Sequence, residues 1–102
     1  MDTNSVIANL EREWDFDTGF FGRLRQGWFD RGSLSRLIRV LEVIDLRDNS
    51  TVSRRVVSLL WYMPLFMVWQ RERVQEAGAD GPELDKATNQ VQQLVEQILG
   101  IP

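Results

Sequence analysis

Four carboxylates near the start of the chain are the first residues whose type and spacing could do chemistry. Glu11, Glu13, Asp15 and Asp17 stand at every second position, and clusters of oxygen ligands suit hard cations such as Ca²⁺. Asp15 and Asp17 begin like a calcium-binding loop, but the later ligands and the closing Glu of such a loop are absent. We therefore interpret these residues as surface carboxylates and a helix cap, and we expect neither a metal nor a cofactor.

A catalytic set is also difficult to assemble. The chain has no His and no Cys, the side chains that most often act as general base, thiolate nucleophile or metal ligand. Asp15 and Asp17 could in principle exchange protons with a substrate. However, a helical chain of 102 residues has little room for a substrate cleft beside its core. We expect no enzyme activity and no small-molecule substrate.

Two glycines could in principle form a cradle for phosphate. Gly19 and Gly22 precede Arg23 and Arg25, but their spacing matches neither the dinucleotide-binding fingerprint nor the P-loop, and no strand is predicted before them. Each glycine also weakens a helix by up to about 1 kcal/mol relative to Ala. Tertiary contacts must therefore support any helix that contains them.

Charge is distributed unevenly along the chain. Residues 1–17 carry a net charge of −4, residues 23–55 of +4 and residues 71–102 of −3. Trp28 and Phe29 lie within the Arg-rich middle, a combination that can pair with phosphates and stack on bases. The sequence pI of about 4.9 argues against nucleic acid as the main partner, because nucleic-acid-binding domains are usually basic.

The ten aromatic residues fall into two blocks, within residues 14–29 and residues 61–69. The second block belongs to an apolar run, but the first is interleaved with Gly, Asp and Arg, so burial alone does not account for it. Phe21 and Trp28 fit the inward stripe of a helix, and the remainder of the first block is either core or interface. Our candidate partner-binding residues are Trp14, Asp15, Asp17, Phe20, Arg23, Arg25 and Phe29.

Hydrophobic periodicity, capping residues and breaks predict helices at residues 3–13, 17–29, 33–46, 51–77 and 82–99. Residues 14–17 alternate apolar with acidic, which is typical of an extended linker with Trp14 and Phe16 turned inward. The last helix has the clearest signals. Pro82 suits its first position, and Gly100 predicts a Schellman ending.

Residues 56–69 form a run in which only Ser58 and Pro64 interrupt the apolar side chains. A helix that is apolar on all sides is buried either in protein or in a membrane. This run rises about 21 Å, short of the roughly 30 Å of hydrocarbon in a bilayer. We therefore predict a buried central helix and no membrane insertion, with a kink or a break near Pro64.

These elements predict one all-α domain over residues 1–102, a compact bundle of four to five helices around the central apolar helix. The third and last helices are expected to pack against that helix. The start of the chain lacks the basic and apolar stretches of a signal peptide, so we expect a cytoplasmic protein. Both a monomer and a homodimer are compatible with the sequence.

Residues 13–17 alternate acidic and aromatic side chains, residues 21–28 combine aromatic residues with Gly and Arg, and residues 59–66 are apolar and aromatic. In these segments the chain resembles the small acidic all-α immunity proteins of bacterial polymorphic-toxin and secretion-system loci. The resemblance implies a non-catalytic protein-binding module, a cognate inhibitor that neutralises a bacterial toxin by direct binding. Aromatic residues of the first block would then fill a pocket of the toxin, and Asp15 and Asp17 would pair with its basic groups.

Two alternatives stay open beside this hypothesis. The apolar stripe of the last helix, from Leu84 to Leu99, could pair with a second copy of the chain. The protein would then be a structural or accessory subunit. The third hypothesis is nucleic-acid binding through the Arg-rich middle, which the low pI disfavours.

Overall fold

The computed structural model describes residues 2–102, and these residues form helices and no β-strand. The predicted all-α class is thereby confirmed. The five helices are α1 (Thr3–Arg12), α2 (Phe20–Arg25), α3 (Arg31–Glu42), α4 (Arg54–Glu76) and α5 (Gly81–Leu99). None of the helices in this described part of the chain combines the length and the apolarity needed to cross a bilayer.

Helix α4 is the centre of the bundle, as predicted, and it packs against α5, α1 and α2. Helix α3 packs against α5 and α2, so the prediction that the third helix lies on the central one is wrong. The reason is that α5, α1 and α2 already cover the inner side of α4. The largest fully buried side chains come from every helix and include Leu10, Phe21, Leu37, Met63 and Leu84.

Aspartate side chains cap three of the helices, and Ser53 caps α4 in the same way by accepting a hydrogen bond from the Arg55 N–H at 3.2 Å. Asp2, Asp30 and Asp80 each accept a hydrogen bond from a backbone N–H in the first turn of α1, α3 and α5, which satisfies groups that the helix itself leaves unpaired. Pro82 lies in the first turn of α5 as predicted, although the helix begins one residue earlier, at Gly81. Helix α3 begins at Arg31, two residues before the predicted start at residue 33, because the Asp30 side chain caps it.

Helix α4 continues through Pro64 without a break. Proline removes one backbone hydrogen bond and crowds the preceding turn, but Met63, Phe66 and Met67 on either side of it are buried in the core. This packing keeps both halves of the helix in place. The sequence predicts either a kink or a break near Pro64, and the continuous helix excludes the break.

One face of α4 is exposed, and the prediction that the whole apolar run is buried is wrong. Trp61, Val68 and Trp69 are 52%, 57% and 60% exposed, whereas Leu60 and Met63 on the opposite side are fully buried. Burial of all sides would require a further helix over this face. The chain has none in its described part, because α1, α2 and α5 all lie on the inner side of α4.

Candidate protein-binding surface

Glu13 is a buried carboxylate, and the prediction that it lies on the surface is wrong. Its side chain is fully buried and accepts two hydrogen bonds from the Arg36 guanidinium, from Nε at 2.8 Å and from Nη2 at 2.9 Å. The Phe20 backbone N–H also donates to Glu13, at 3.2 Å. Arg36 donates further to the Thr18 carbonyl at 2.7 Å. The hydrogen bond to Glu13 raises the pKa of Arg36. This pair therefore fixes the loop of residues 13–19 against α2 and α3.

Asp15 organises the same loop through its own backbone. Its carboxylate accepts hydrogen bonds from the Asp17 N–H at 3.1 Å, the Thr18 N–H at 2.9 Å and the Thr18 hydroxyl at 2.8 Å. The Thr18 N–H is the main cause of the lowered pKa of Asp15. The segment is thus a series of turns and not the predicted extended linker. As a result Trp14 is half-buried, while Phe16, which was predicted to turn inward, is 58% exposed.

Glycine is required where this loop lies on α2. A Cβ on Gly22 would stand 1.9 Å from the carbonyl oxygen of Asp15, and a Cβ on Gly19 would stand 2.4 Å from that of Glu13. Both neighbours are backbone atoms, which a small side-chain adjustment cannot move away. Both glycines are buried. Close packing therefore explains them, and no space is left beside them for a phosphate.

Helix α2 ends in a Schellman motif, which places Trp28 on the surface. Gly27 has a φ of +87°, its N–H donates to the Leu24 carbonyl at 2.9 Å, and the Trp28 N–H donates to the Arg23 carbonyl at 3.0 Å. This pattern terminates a helix. The prediction that α2 continues through Phe29, with Trp28 on its inward stripe, is therefore wrong. The Trp28 side chain is 52% exposed.

Arg23 holds the exposed Trp28 ring in place. Its guanidinium lies over the indole at 4.5 Å from the ring centroid, donates from Nε to the Asp17 carbonyl at 3.0 Å and forms an ion pair with Asp30. Partial burial raises the pKa of Asp30, but hydrogen bonds from Ser33 and Arg23 outweigh it, and the pKa lies below its ordinary value. An exposed indole is thus fixed by a guanidinium that is itself held at two further points.

Phe16 is joined to the end of α2 by Gln26, whose Nε2 donates to the Phe16 carbonyl at 2.8 Å. We refer to Phe16, Asp17, Arg23 and Trp28 together as the Trp28 surface. Its four residues come from the loop of residues 13–19, from α2 and from the residue after the Schellman turn. The hydrogen bonds of Arg23 and Gln26 connect these parts.

A groove of about 790 Å³ lies between α1, the loop and the first half of α4. Three predicted residues, Trp14, Asp15 and Arg25, line it together with Arg55 and Tyr62. The Trp14 indole stacks on Phe21 with the ring centroids 4.3 Å apart, and its Nε1–H is buried without a hydrogen-bond acceptor. An ion pair from Arg55 to Glu11 at 2.8 Å joins α4 to α1 here. Charges of both signs therefore line the groove.

The structure separates the seven predicted site residues. Trp14, Asp15 and Arg25 line the groove, and Asp17 and Arg23 belong to the Trp28 surface. Phe20 is fully buried, with its ring centroid 5.1 Å from that of Phe21, so it cannot contact a partner in the folded protein. Phe29 is half-buried, with its ring 6.3 Å from that of Phe20.

Phe16 and Trp28 are exposed although the sequence predicts that both turn inward, as it also does for Trp61 and Trp69 of α4. The signal that could have identified Trp28 is Gly27, since a glycine directly after a helical stripe is typical of a helix end. Within residues 2–102, no three acidic side chains come together in an arrangement that could hold a metal ion. The reason is visible at the start of the chain, where Glu13 is buried against Arg36 and Asp15 is engaged by Thr18.

No protein-family model, curated protein or solved structure matches this chain. Its surfaces are therefore the basis on which a function can be argued.

Proposed function

We propose that the protein is a non-catalytic protein-binding module and that its partner docks on the Trp28 surface. The observation that carries this proposal is the exposed Trp28 indole held under the Arg23 guanidinium. Tryptophan is enriched among the residues that dominate binding energy at protein interfaces. A side chain that is already fixed before binding loses little conformational entropy on binding. Trp28 meets both conditions.

Charge indicates what kind of partner fits. Asp17 is exposed, and its backbone carbonyl accepts a hydrogen bond from the Arg23 side chain that lies over Trp28, whereas the charge of Arg23 is compensated by Asp30. The surface therefore presents two exposed aromatic residues and one exposed acid, and residues 1–17, which include that acid, carry a net charge of −4. A basic protein surface with an apolar pocket is complementary to it.

A cognate immunity protein, which neutralises a bacterial toxin by direct binding in the cytoplasm, is the most concrete form of this proposal. Toxins that act on nucleic acid tend to be basic, because nucleic-acid-binding surfaces are usually basic. An acidic blocker with exposed aromatic side chains would be attracted to such a surface and would occupy it. The acidity of the chain and its resemblance to immunity proteins support this form.

The burial of α5 argues against the alternative in which the last helix pairs with a second copy of the chain. Leu84, Val91 and Val95, in the middle of the stripe, are buried within the bundle, where α5 packs against α4 and α3. Pairing through this stripe would require the bundle to open.

The product of the gene next to this one is the probe for the proposal, since inhibitors are usually encoded beside their targets. We expect isothermal titration to show binding to the parent protein and a loss of about 30-fold in affinity, or about 2 kcal/mol, for Trp28→Ala. Trp69→Ala is the matched control because Trp69 is also more than half exposed but lies on α4. Equal effects of the two substitutions, or none for Trp28→Ala, would contradict the proposed surface.

A further inference from the structure

The exposed face of α4 has the spacing of a helix-pairing seam. Seven residues on this side are separated alternately by four and three positions, the repeat by which two helices pack along each other. They are Arg54, Ser58, Trp61, Leu65, Val68, Glu72 and Gln75. We call them the outer α4 seam. No helix within residues 2–102 covers this seam, and its residues are exposed or half-buried.

The middle of the seam is a continuous apolar surface. Trp61 and Val68 are more than half exposed and Leu65 lies between them. The neighbouring Tyr62 ring is 5.5 Å from that of Trp61 and 5.8 Å from that of Trp69, which widens the surface with two further aromatic rings. Contiguous exposed apolar surfaces of this kind mark interaction sites in proteins that fold as monomers.

Two residues near opposite ends of the seam carry opposite charges that form no ion pair in the described part of the chain. Arg54 at one end and Glu72 at the other are exposed, and neither takes part in the ion pairs of residues 2–102. The neighbouring Arg55 and Arg71 differ in this respect, since they pair with Glu11 and Asp85. Two charges that form no ion pair within residues 2–102 thus flank the apolar centre.

We propose that a second copy of this chain docks antiparallel along the outer α4 seam and forms a two-fold symmetric dimer. The antiparallel arrangement puts Trp61 opposite Leu65 of the second copy and Ser58 opposite Val68. It also puts Arg54 opposite Glu72 twice, once at each end. A parallel arrangement would set Arg54 against Arg54 and Glu72 against Glu72, and like charges held together are destabilising. The charges therefore select the antiparallel orientation.

The size of the seam sets the expected affinity. A helix of 23 residues is about 34 Å long and about 10 Å wide, which projects to roughly 340 Å². A standard interface buries about 800 Å² per partner, so the dimer is a weak one that forms and dissociates readily. Because this seam and the Trp28 surface share no residue, the inference is independent of the proposed function.

Sedimentation equilibrium over about 5 to 500 µM protein tests the dimer, a range that brackets micromolar dissociation constants. We expect the parent to dimerise within it and Val68→Glu to raise the Kd at least tenfold, because it places a charge in the apolar centre. Val43→Glu is the matched control, since Val43 is 65% exposed but lies at the end of α3. A monomeric parent, or an equal effect of the control, would overturn the proposal.

Charge reversal tests the pairing of the ends. Arg54→Glu should raise the Kd several-fold, because the introduced carboxylate would face Glu72 of the second copy. Adding Glu72→Arg in the same chain should restore the parent Kd. If the double substitution weakens the dimer further, Arg54 and Glu72 do not face each other, and the proposed arrangement is wrong.

Orientation can be measured directly because the chain contains no Cys, so a single introduced Cys is labelled uniquely. A spin label on Gln75→Cys lies twelve residues from the midpoint of the seam. The antiparallel dimer therefore separates the two labels by about 36 Å along the helix axis. A parallel dimer would bring the labels within about 15 Å, the spacing of two packed helices plus the label arms. The short distance, or no dimer signal, would refute the antiparallel seam.

Discussion

Arg36 donates two hydrogen bonds to the fully buried carboxylate of Glu13, which stands 23 residues earlier in the chain. The same guanidinium also reaches the Thr18 carbonyl. One side chain of α3 thus fixes both ends of the loop that carries Phe16 and Asp17. The Trp28 surface depends on this pair for its shape, although neither Glu13 nor Arg36 belongs to it.

Removal of the two partners is expected to have unequal effects. Arg36→Ala leaves a carboxylate buried without its counter-charge, and we expect it to lower the free energy of unfolding by about 3 kcal/mol. Glu13→Gln keeps an acceptor for the Phe20 N–H and leaves Arg36 partly in water, so we expect a loss of about 1 kcal/mol. Urea denaturation followed by circular dichroism measures both.

Arg39→Ala is the control for this pair of variants, because Arg39 lies on the same helix, is exposed and forms no ion pair within the described residues. It should change the free energy of unfolding by less than about 0.5 kcal/mol. A larger loss for Glu13→Gln than for Arg36→Ala would show that the buried carboxylate is not the critical group.

Two glycine substitutions are expected to act in opposite directions. Gly22→Ala would place a Cβ 1.9 Å from the Asp15 carbonyl oxygen, so the loop must move and the protein is destabilised by more than about 2 kcal/mol. Gly32→Ala has its nearest neighbour at 3.7 Å and lies in the first turn of α3. It should stabilise the protein by about 0.5 kcal/mol. Thermal melts of both variants measure these changes in stability. A Gly22→Ala variant as stable as the parent would mean that the loop does not lie on α2.

Asp30 is expected to make stability depend on pH in the acid range. Its pKa is lowered in the folded state from the ordinary value of 3.8, so its contribution is present above that value and is lost as the pH falls through the lower folded value. Asp30→Asn keeps the helix cap but loses the charge. We expect it to be about 0.5 kcal/mol less stable than the parent at pH 6, and we expect this difference to shrink as the pH falls through the folded-state pKa of Asp30.

Urea titrations at pH 6 and near pH 2 test this expectation, with Asp48→Asn as the control. Asp48 is exposed and forms no ion pair within the described residues, so its substitution should leave stability unchanged at either pH. A stability difference for Asp30→Asn that persists undiminished near pH 2 would contradict the ionic role of Asp30.

The parts of the fold that local signals determine were predictable from the sequence. Helix α5 has an Asp80 cap, Pro82 in its first turn and a stripe from Leu84 onward, and all of these lie within a few residues of each other. The end of α5 was predicted wrongly in detail. Gly100 has a φ of 89° but a ψ of 161°, which is not the Schellman ending that Gly27 and Gly78 form.

The parts that depend on distant contacts were not predictable. Burial of Glu13 requires its ion pair with Arg36. No sequence pattern near Glu13 indicates that Arg36 is its partner. Trp61 and Trp69 are exposed because too few helices pack around α4 to cover that face. The hydrophobic periodicity of α4 does not indicate how many helices surround it. Trp28 fits the stripe of Phe21 and Leu24 until the turn at Gly27 removes it from the helix.

The four indole N–H signals of the protein provide the most direct test of where a partner binds, because each Trp gives one resolved signal in a ¹⁵N–¹H spectrum. Adding the product of the neighbouring gene at a fixed low concentration of this protein should shift or broaden the signal of Trp28. The signals of Trp61 and Trp69 should stay unchanged by that addition and should move only when the concentration of the protein itself is raised. Partner-induced changes at Trp61 and Trp69 with an unaltered Trp28 would contradict the proposed binding surface.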